Sequence, residues 1–502
     1  MNKLARPFVV FVERFYPDPF VFAIGLTVIV FLLALGLTDS GPSDAVVAWG
    51  DGLADLMTFI GQLALTIVTA HALAHTDAVR KGLGRLGRIP NSPAVAYGMV
   101  AFIAGVASLF AWAFGLVVGA LIARQVAMEA RKKGLKLHYP LLVASAYAGF
   151  VIWHMGYSGS APLFVATEGH ALEEQVGGII PVSETIFAPW NIATAVVALV
   201  AVTGLMALLR PKEGRDKIIE ISDAAIEDYQ ETMARMDREL VAASASGGTA
   251  AAGGSETAVS SSRSSETVAT QEAGAGGPST VTAGGGTDNG SRTIADRLDK
   301  TRILSLFAGL ALVVYLVMYF GDAGLNLTLD VVNWTFLALG LLLSRSVLHY
   351  VKLIGHASTA VGQIILQYPF YAGIMGMMAG TGLISVFADW FTSVSSADTL
   401  GFFAFLSGGI LNMFVPSGGG QWAIQGPIFI EAAQNLGTDP SRVVMGVSYG
   451  DQWTNMIQPF FTIPLLAIAG LHVRQIMGYT FLVLIVTFFI FGGGILLAGS
   501  GA

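Results

Sequence analysis

Across 502 residues, 54% are hydrophobic and only 12% charged, about half the charged fraction of a soluble domain of this size. A large soluble core is excluded on that ground, and the absence of cysteine rules out disulfide frameworks, thiolate metal sites and cysteine nucleophiles. The formal net charge of −7 belongs to loops and a linker and gives no sign of a nucleic-acid partner.

The opening MNKLARPFVVFVERFYPDP has no small-residue cleavage site after a short apolar run, and reads as an amphipathic lead-in. Apolar stretches long enough to cross a hydrocarbon core of ~30 Å follow. They lie at about 20–38, 52–75, 140–167, 186–209, 303–321, 330–348, 356–384, 442–470 and 475–499. Two more, at about 94–128 and 400–433, are interrupted by glycine and polar residues. Basic residues flank the first on both sides: Arg80, Lys81, Arg85 and Arg88 before it, Arg131, Lys132, Lys133 and Lys136 after it. Lys and Arg collect in cytoplasmic loops, so both ends want the same side, as in a re-entrant hairpin. Asp389 and Asp398 precede the second and Glu431 and Asp439 follow, which puts its ends outside. With the N-terminus inside and the C-terminus outside, every Lys and Arg except Arg442 then falls on the cytoplasmic side.

Residues from about 240 to 292 are nearly all Ala, Gly, Ser, Thr and Glu, too poor in apolar surface to fold. Residues 210–301 therefore read as a cytoplasmic linker between related halves. Gly61-Gln62 repeats as Gly362-Gln363 at an offset of 301, and Tyr147, Pro162 and Leu163 repeat as Tyr449, Pro464 and Leu465 at 302. The expected fold is an all-α polytopic membrane protein, with about nine transmembrane helices plus two re-entrant hairpins in an inverted repeat. Residues 1–209 form the first repeat, 302–329 an extra inverting helix and 330–502 the second repeat. Such repeats are common in secondary transporters.

Backbone breaks at membrane depth line sites in such proteins. The sharpest is Asn412-Met-Phe-Val-Pro416-Ser417-Gly418-Gly419-Gly420-Gln421-Trp422. Its glycines permit positive φ and close approach of a ligand, and the helix arm after them offers unpaired N–H groups to an anion. A small carboxylate suits it, with Gly419 the position where a side chain would block the approach. No Lys and Ser/Thr follow, which excludes a nucleotide loop. The span at 140–167 breaks near Met155-Gly-Tyr-Ser158-Gly-Ser160-Ala-Pro162, and its His154 faces the same depth. Asp451 lies well inside the last broken span, with Gln452 beside it and Asn455 and Gln458 at i+4 and i+7. An intramembrane carboxylate is a functional hypothesis by default. Asp451, Gln452, Gln458 and His71 are candidates for a coupling proton or Na⁺, and Asn455 for substrate orientation. No metal-ligand spacing, cofactor motif or nucleophile–base pair stands out, so an enzyme is not expected.

Tyr16-Pro-Asp-Pro19, Trp49-Gly-Asp-Gly-Leu53, Val415-Pro-Ser-Gly-Gly-Gly-Gln-Trp422 and Tyr449-Gly-Asp-Gln-Trp453 together resemble the short-chain fatty acid transporter family, outside about 212–300. The resemblance implies a secondary carrier for acetoacetate- or butyrate-like acids in the cytoplasmic membrane. It also implies kinship with ion-coupled carriers that have paired hairpins, and hence a homodimer. The alternative is a carrier for another small organic anion, such as a dicarboxylate.

Overall fold

A computed structural model describes residues 6–15, 17–157, 159–170, 172–212, 214, 216–227, 231, 298–299, 301–324 and 328–499. Among these residues the regular elements are helical, with no strand. In chain order they are α1 (Arg6–Phe15), α2 (Pro19–Leu37), α3 (Pro42–Gly52), α4 (Met57–Ala74), α5 (Asp77–Gly87), α6 (Pro93–Phe110), α7 (Trp112–Lys132), α8 (Tyr139–Gly149), α9 (Ser160–Val165), α10 (Glu173–Val176) and α11 (Pro189–Leu208). After the linker come α12 (Arg302–Ala323), α13 (Leu329–Leu343), α14 (Val347–Ala357), α15 (Gly362–Gly380), α16 (Leu383–Ser393), α17 (Leu400–Asn412), α18 (Gly418–Leu436), α19 (Pro440–Thr454), α20 (Thr462–Ala469) and α21 (Arg474–Gly499).

Six of these, α2, α6, α7, α11, α12 and α21, are long and apolar enough to cross a membrane. α15 and α16 add a seventh if their 62° bend is taken as one broken span. Gly382 sits at that bend with φ +73°, a conformation that favours glycine. The other apolar stretches read from the sequence are shorter helices (α4, α13, α17) or broken ones (α8 with α9, α19 with α20). α2 starts where Asp18 accepts the Phe20 N–H at 3.0 Å, with Pro19 at the first helical position. Its outer face carries Val21 and Leu32, and that of α12 carries Ile303 and Phe307, all largely exposed. Helices apolar all round, with such faces uncovered, are matched to hydrocarbon rather than water. The chain is thus a multi-pass α-helical membrane protein.

The two interrupted segments are helical hairpins. α6 and α7 pack on each other and join through Ala111 alone, in an extended conformation. At the tip Gly115 lies so close to Ser108 that a Cβ there would collide with it. α17 and α18 join through residues 413–417.

One packing contact occurs in both halves. A Cβ on Gly149 of α8 would meet Ala101 O and Gly105 N of α6, each at 2.5 Å. A Cβ on Gly450 of α19 would meet Phe405 O and Gly409 N of α17. The broken helix of each half is thus pressed, backbone to backbone, on the first arm of that half's hairpin, and each position tolerates nothing larger than glycine.

The start of the interhalf segment is folded onto the helices. Tyr139 N–H donates to Ile219 O at 2.7 Å, and Ile219 N–H donates to His138 Nδ1 at 3.0 Å. Arg131 donates to Ile221 O at 2.8 Å and pairs with Asp223. Ile221 is 3% exposed and joins the main core. The low-complexity stretch at about 240–292 lies outside the described residues. Ile221→Asp buries an unpaired carboxylate at a cost of several kcal/mol, and a fall of several degrees or more in melting temperature in detergent is the expected result. Deletion of about 245–290 is expected to leave that temperature unchanged. A second tie links α5 to the α13–α14 turn: Arg345 donates to Asp77 at 2.8 Å and holds that carboxyl below its ordinary pKa.

Candidate functional site

Proline explains much of the geometry at depth. It has no N–H, so the carbonyl four residues earlier loses its helical partner. Pro459 frees Asn455 O, which accepts instead from the Tyr147 hydroxyl at 2.7 Å. Pro464 frees Phe460 O, which accepts from the Tyr368 hydroxyl at 3.1 Å. α19 therefore stops at Thr454 and the chain resumes as α20 only at Thr462. In the first half α8 tightens into a 3-10 turn at Phe150–Met155 before α9 begins at Ser160. Asn191 on α11 donates to Met155 O at 3.1 Å, and its own Oδ1 accepts from the Tyr449 hydroxyl at 2.8 Å.

The two breaks meet. His154 N–H donates to Gln452 Oε1 at 2.9 Å, and Trp153 Nε1–H donates to Asn455 Oδ1 at 2.9 Å. His154 Nε2 stands 3.6 Å from Asp451 Oδ2, with both side chains 1% exposed. That is a close approach but longer than a hydrogen bond. Ser160 N–H donates to His154 Nδ1 at 3.3 Å, which makes Nδ1 an acceptor and assigns the ring proton to Nε2, towards Asp451. The Trp153 ring lies over the imidazole, centroids 3.5 Å apart.

The glycine-rich tip closes the cluster from a third side. Ser417 caps α18, its hydroxyl oxygen accepting from Gly420 N–H at 3.3 Å. A Cβ on Gly418 would meet His154 Cε1 at 2.6 Å and Nε2 at 2.7 Å, with Ser160 Oγ at 3.1 Å. Asn412, at the end of α17, donates to Asp451 O at 2.8 Å and Thr454 Oγ1 at 3.0 Å.

The structure thus brings together His154, Ser160, Asn412, Ser417, Gly418, Asp451, Gln452 and Asn455 from the sequence-based set. Gln458 lies at the same break, its Oε1 accepting from Phe460 N–H at 2.7 Å. Pro416 is buried. Gln421 faces back into its own hairpin, donating to Gly408 O at 2.8 Å and Gln425 Oε1 at 3.1 Å. Gly420 packs near Met375, with its Sδ at 3.3 Å from a built Cβ. Gly419 has nothing within 4 Å of that position, so the crowded glycine is Gly418. None of the three has positive φ; they are helical, and what matters at Gly418 is the missing side chain. His71 is on α4, its ring stacked on His75 with centroids 4.2 Å apart, in a helix that packs on α13 and α14. Ser158 lies outside the described residues. Trp153 and Asn191 were not singled out in the sequence, and Tyr147 only as a position of the repeat. The prolines at 459 and 464 signal that two carbonyls need donors, but not which residues supply them.

A multi-pass helical membrane protein, whose backbone breaks converge on one buried, polar, ionisable cluster, belongs to the class of membrane transporters. The sequence matches the short chain fatty acid transporter family over residues 1–246 and 286–498, and the chain belongs to that family. The unmatched interval falls within the low-complexity linker. A protein of Escherichia coli named as a candidate short-chain fatty acid transporter is 36% identical over 499 residues, 99% of each chain. One of Haemophilus influenzae with the same name is 36% identical over 493 residues, 97% of each. Among solved structures, the Alcanivorax borkumensis YdaH transporter superposes with a TM-score of 0.43 at 13% identity, covering 96% of this chain and 98% of its own.

Proposed function

We propose that this protein is a secondary active carrier for short-chain monocarboxylates of the acetoacetate and butyrate kind, driven by a proton or Na⁺ gradient. The observation that carries this reading is the approach of His154 and Asp451 at 3.6 Å where both backbone breaks meet the Gly418 tip. Ionisable side chains at that depth are costly unless function requires them. An anion favours donor-rich breaks and helix starts, and a carboxylate in the protein gives a coupling ion somewhere to reside. A dicarboxylate is the weaker reading, because a second charge calls for a further cation. Of the titratable side chains in the cluster, His154 alone can be cationic.

The carrier sits in the cytoplasmic membrane as a homodimer, N-terminus inside and C-terminus outside, with both hairpins re-entrant. Single cysteines introduced as Arg88→Cys and Gly134→Cys, in a chain that has no other cysteine, are expected to react with an impermeant thiol reagent from the same side. Labelling from opposite faces overturns the re-entrant layout. Uptake of a panel of acids into proteoliposomes, under separate proton and Na⁺ gradients, tests the function itself. Saturable accumulation of butyrate or acetoacetate supports it; exclusive accumulation of dicarboxylates overturns it.

A further inference from the structure

Three amide side chains around Asp451 have their orientation fixed by groups that can only donate. Gln452 Oε1 accepts from the His154 backbone N–H at 2.9 Å. Asn455 Oδ1 accepts from the Trp153 indole N–H at 2.9 Å, and Gln458 Oε1 from the Phe460 backbone N–H at 2.7 Å. A flipped amide would set N–H against N–H, so these oxygens are committed and the NH₂ groups are turned the other way. All three residues are fully buried, and Gln452 Nε2, Asn455 Nδ2 and Gln458 Nε2 find no acceptor in the protein. His154 Nε2, whose proton is fixed by the Ser160 contact at Nδ1, is a fourth buried donor without a hydrogen-bond partner. Buried donors left unpaired cost about 1–3 kcal/mol each, and a ligand that only accepts would relieve them.

The oxygen side of the ledger is short. The carbonyls freed at the breaks are already taken: Asn455 O by Tyr147, Phe460 O by Tyr368, Asp451 O by Asn412, Met456 O by Thr480 and Met155 O by Asn191. Among the described side chains of this cluster, the two carboxyl oxygens of Asp451 and Oδ1 of Asn412 remain without partners. Hard cations are held by six or more oxygens in protein sites of the calcium and magnesium type. Three unpartnered side-chain oxygens against four unpartnered N–H donors favour an anion over a cation here.

Building on the carrier reading above, we infer that the amide groups of Gln452, Asn455 and Gln458 bind the substrate's carboxylate, and that the coupling ion is a proton carried on Asp451. The loaded carrier then holds the substrate anion and the proton together. The single bond made and broken is the Asp451 O–H. The proton joins from the side of higher proton activity and leaves on the other side, in step with the anion. His154 is the titratable group that faces Asp451 from the packed elements. α17 and α9 carry no titratable residue. α18 has only Glu431, in its far half, and α21 has Arg474 and Tyr479 in its first turns; Tyr449 and Arg442 are on α19 itself.

Asn455→Asp keeps the oxygen that Trp153 needs and removes the NH₂. In proteoliposomes at about pH 8 the KM for radiolabelled butyrate, after subtraction of flux through protein-free liposomes, is expected to rise tenfold or more. The maximal rate at saturating butyrate is expected to change far less than the KM. Gln452→Glu is expected to behave alike, which a merely structural defect does not. Accumulation by the wild-type protein should follow a proton gradient in Na⁺-free buffer. An unchanged KM in both variants overturns the carboxylate assignment, and accumulation that requires Na⁺ overturns the proton. In either case the carrier reading stands, whereas it is the carrier reading that fails if the wild-type protein moves no monocarboxylate under any gradient.

Discussion

Gly418→Val is expected to abolish uptake while the protein still reaches the membrane. A Cβ at this position comes within 2.6 Å of His154 Cε1 and 2.7 Å of Nε2, inside van der Waals contact, and valine adds two methyl groups beyond it. The imidazole has little room to retreat. Trp153 covers one face, the Ser160 N–H holds Nδ1, and Asp451 lies beyond Nε2. Overpacking of a fixed core costs about 1–3 kcal/mol, and at about 1.4 kcal/mol per decade that lowers occupancy of the competent arrangement by about 5- to 140-fold. Gly419→Val, one residue on, meets nothing within 4 Å and is expected to reduce uptake far less. Initial rates of butyrate uptake for the two variants, normalised to protein in the membrane, make the comparison. Equal losses from both would show that the helix start, not the contact with His154, is what valine disturbs.

The choice between those glycines illustrates what the sequence could and could not reveal. Composition and the recurring apolar stretches identified the class, because a bilayer leaves so few ways to satisfy the backbone. The breaks were legible from Gly, Pro and buried polar residues, and the hairpins from the charges around them. Spacing on one expected helix grouped Asp451, Asn455 and Gln458, but α19 stops at Thr454, so Asp451 alone of the three lies on it and no shared helical face exists. Spacing gave no access to how two distant segments meet, so the approach of His154 to Asp451, nearly three hundred positions away in the sequence, had no local signal. The same limit applies to Gln452 and Gln458. As residue types they suit an ion or an anion equally, and the decision comes from which end of each amide is already engaged. His71 was grouped by residue type alone, and its ring stacks on His75 one turn away.

Asp451→Asn separates coupling from passage. In the native chain both carboxyl oxygens are buried without a hydrogen-bond donor, with His154 Nε2 3.6 Å from Oδ2. On the proton reading above, Asp451 carries the proton in the loaded carrier and has released it in the empty one. Asparagine mimics the protonated state in shape and charge but cannot release the proton. Steps in which the proton stays bound survive, and steps that require its release do not. Counterflow, in which labelled substrate exchanges with unlabelled substrate at equilibrium, needs only the loaded form and is expected to continue at a rate near that of the wild-type protein. Accumulation against a substrate gradient needs the carrier to return empty and deprotonated, and is expected to fall to the level of protein-free liposomes. Both measurements are made on one preparation, so a shortage of folded protein lowers them together. Accumulation that persists in Asp451→Asn, with only the melting temperature reduced, would make Asp451 a structural partner of His154 and move the coupling site elsewhere in the chain.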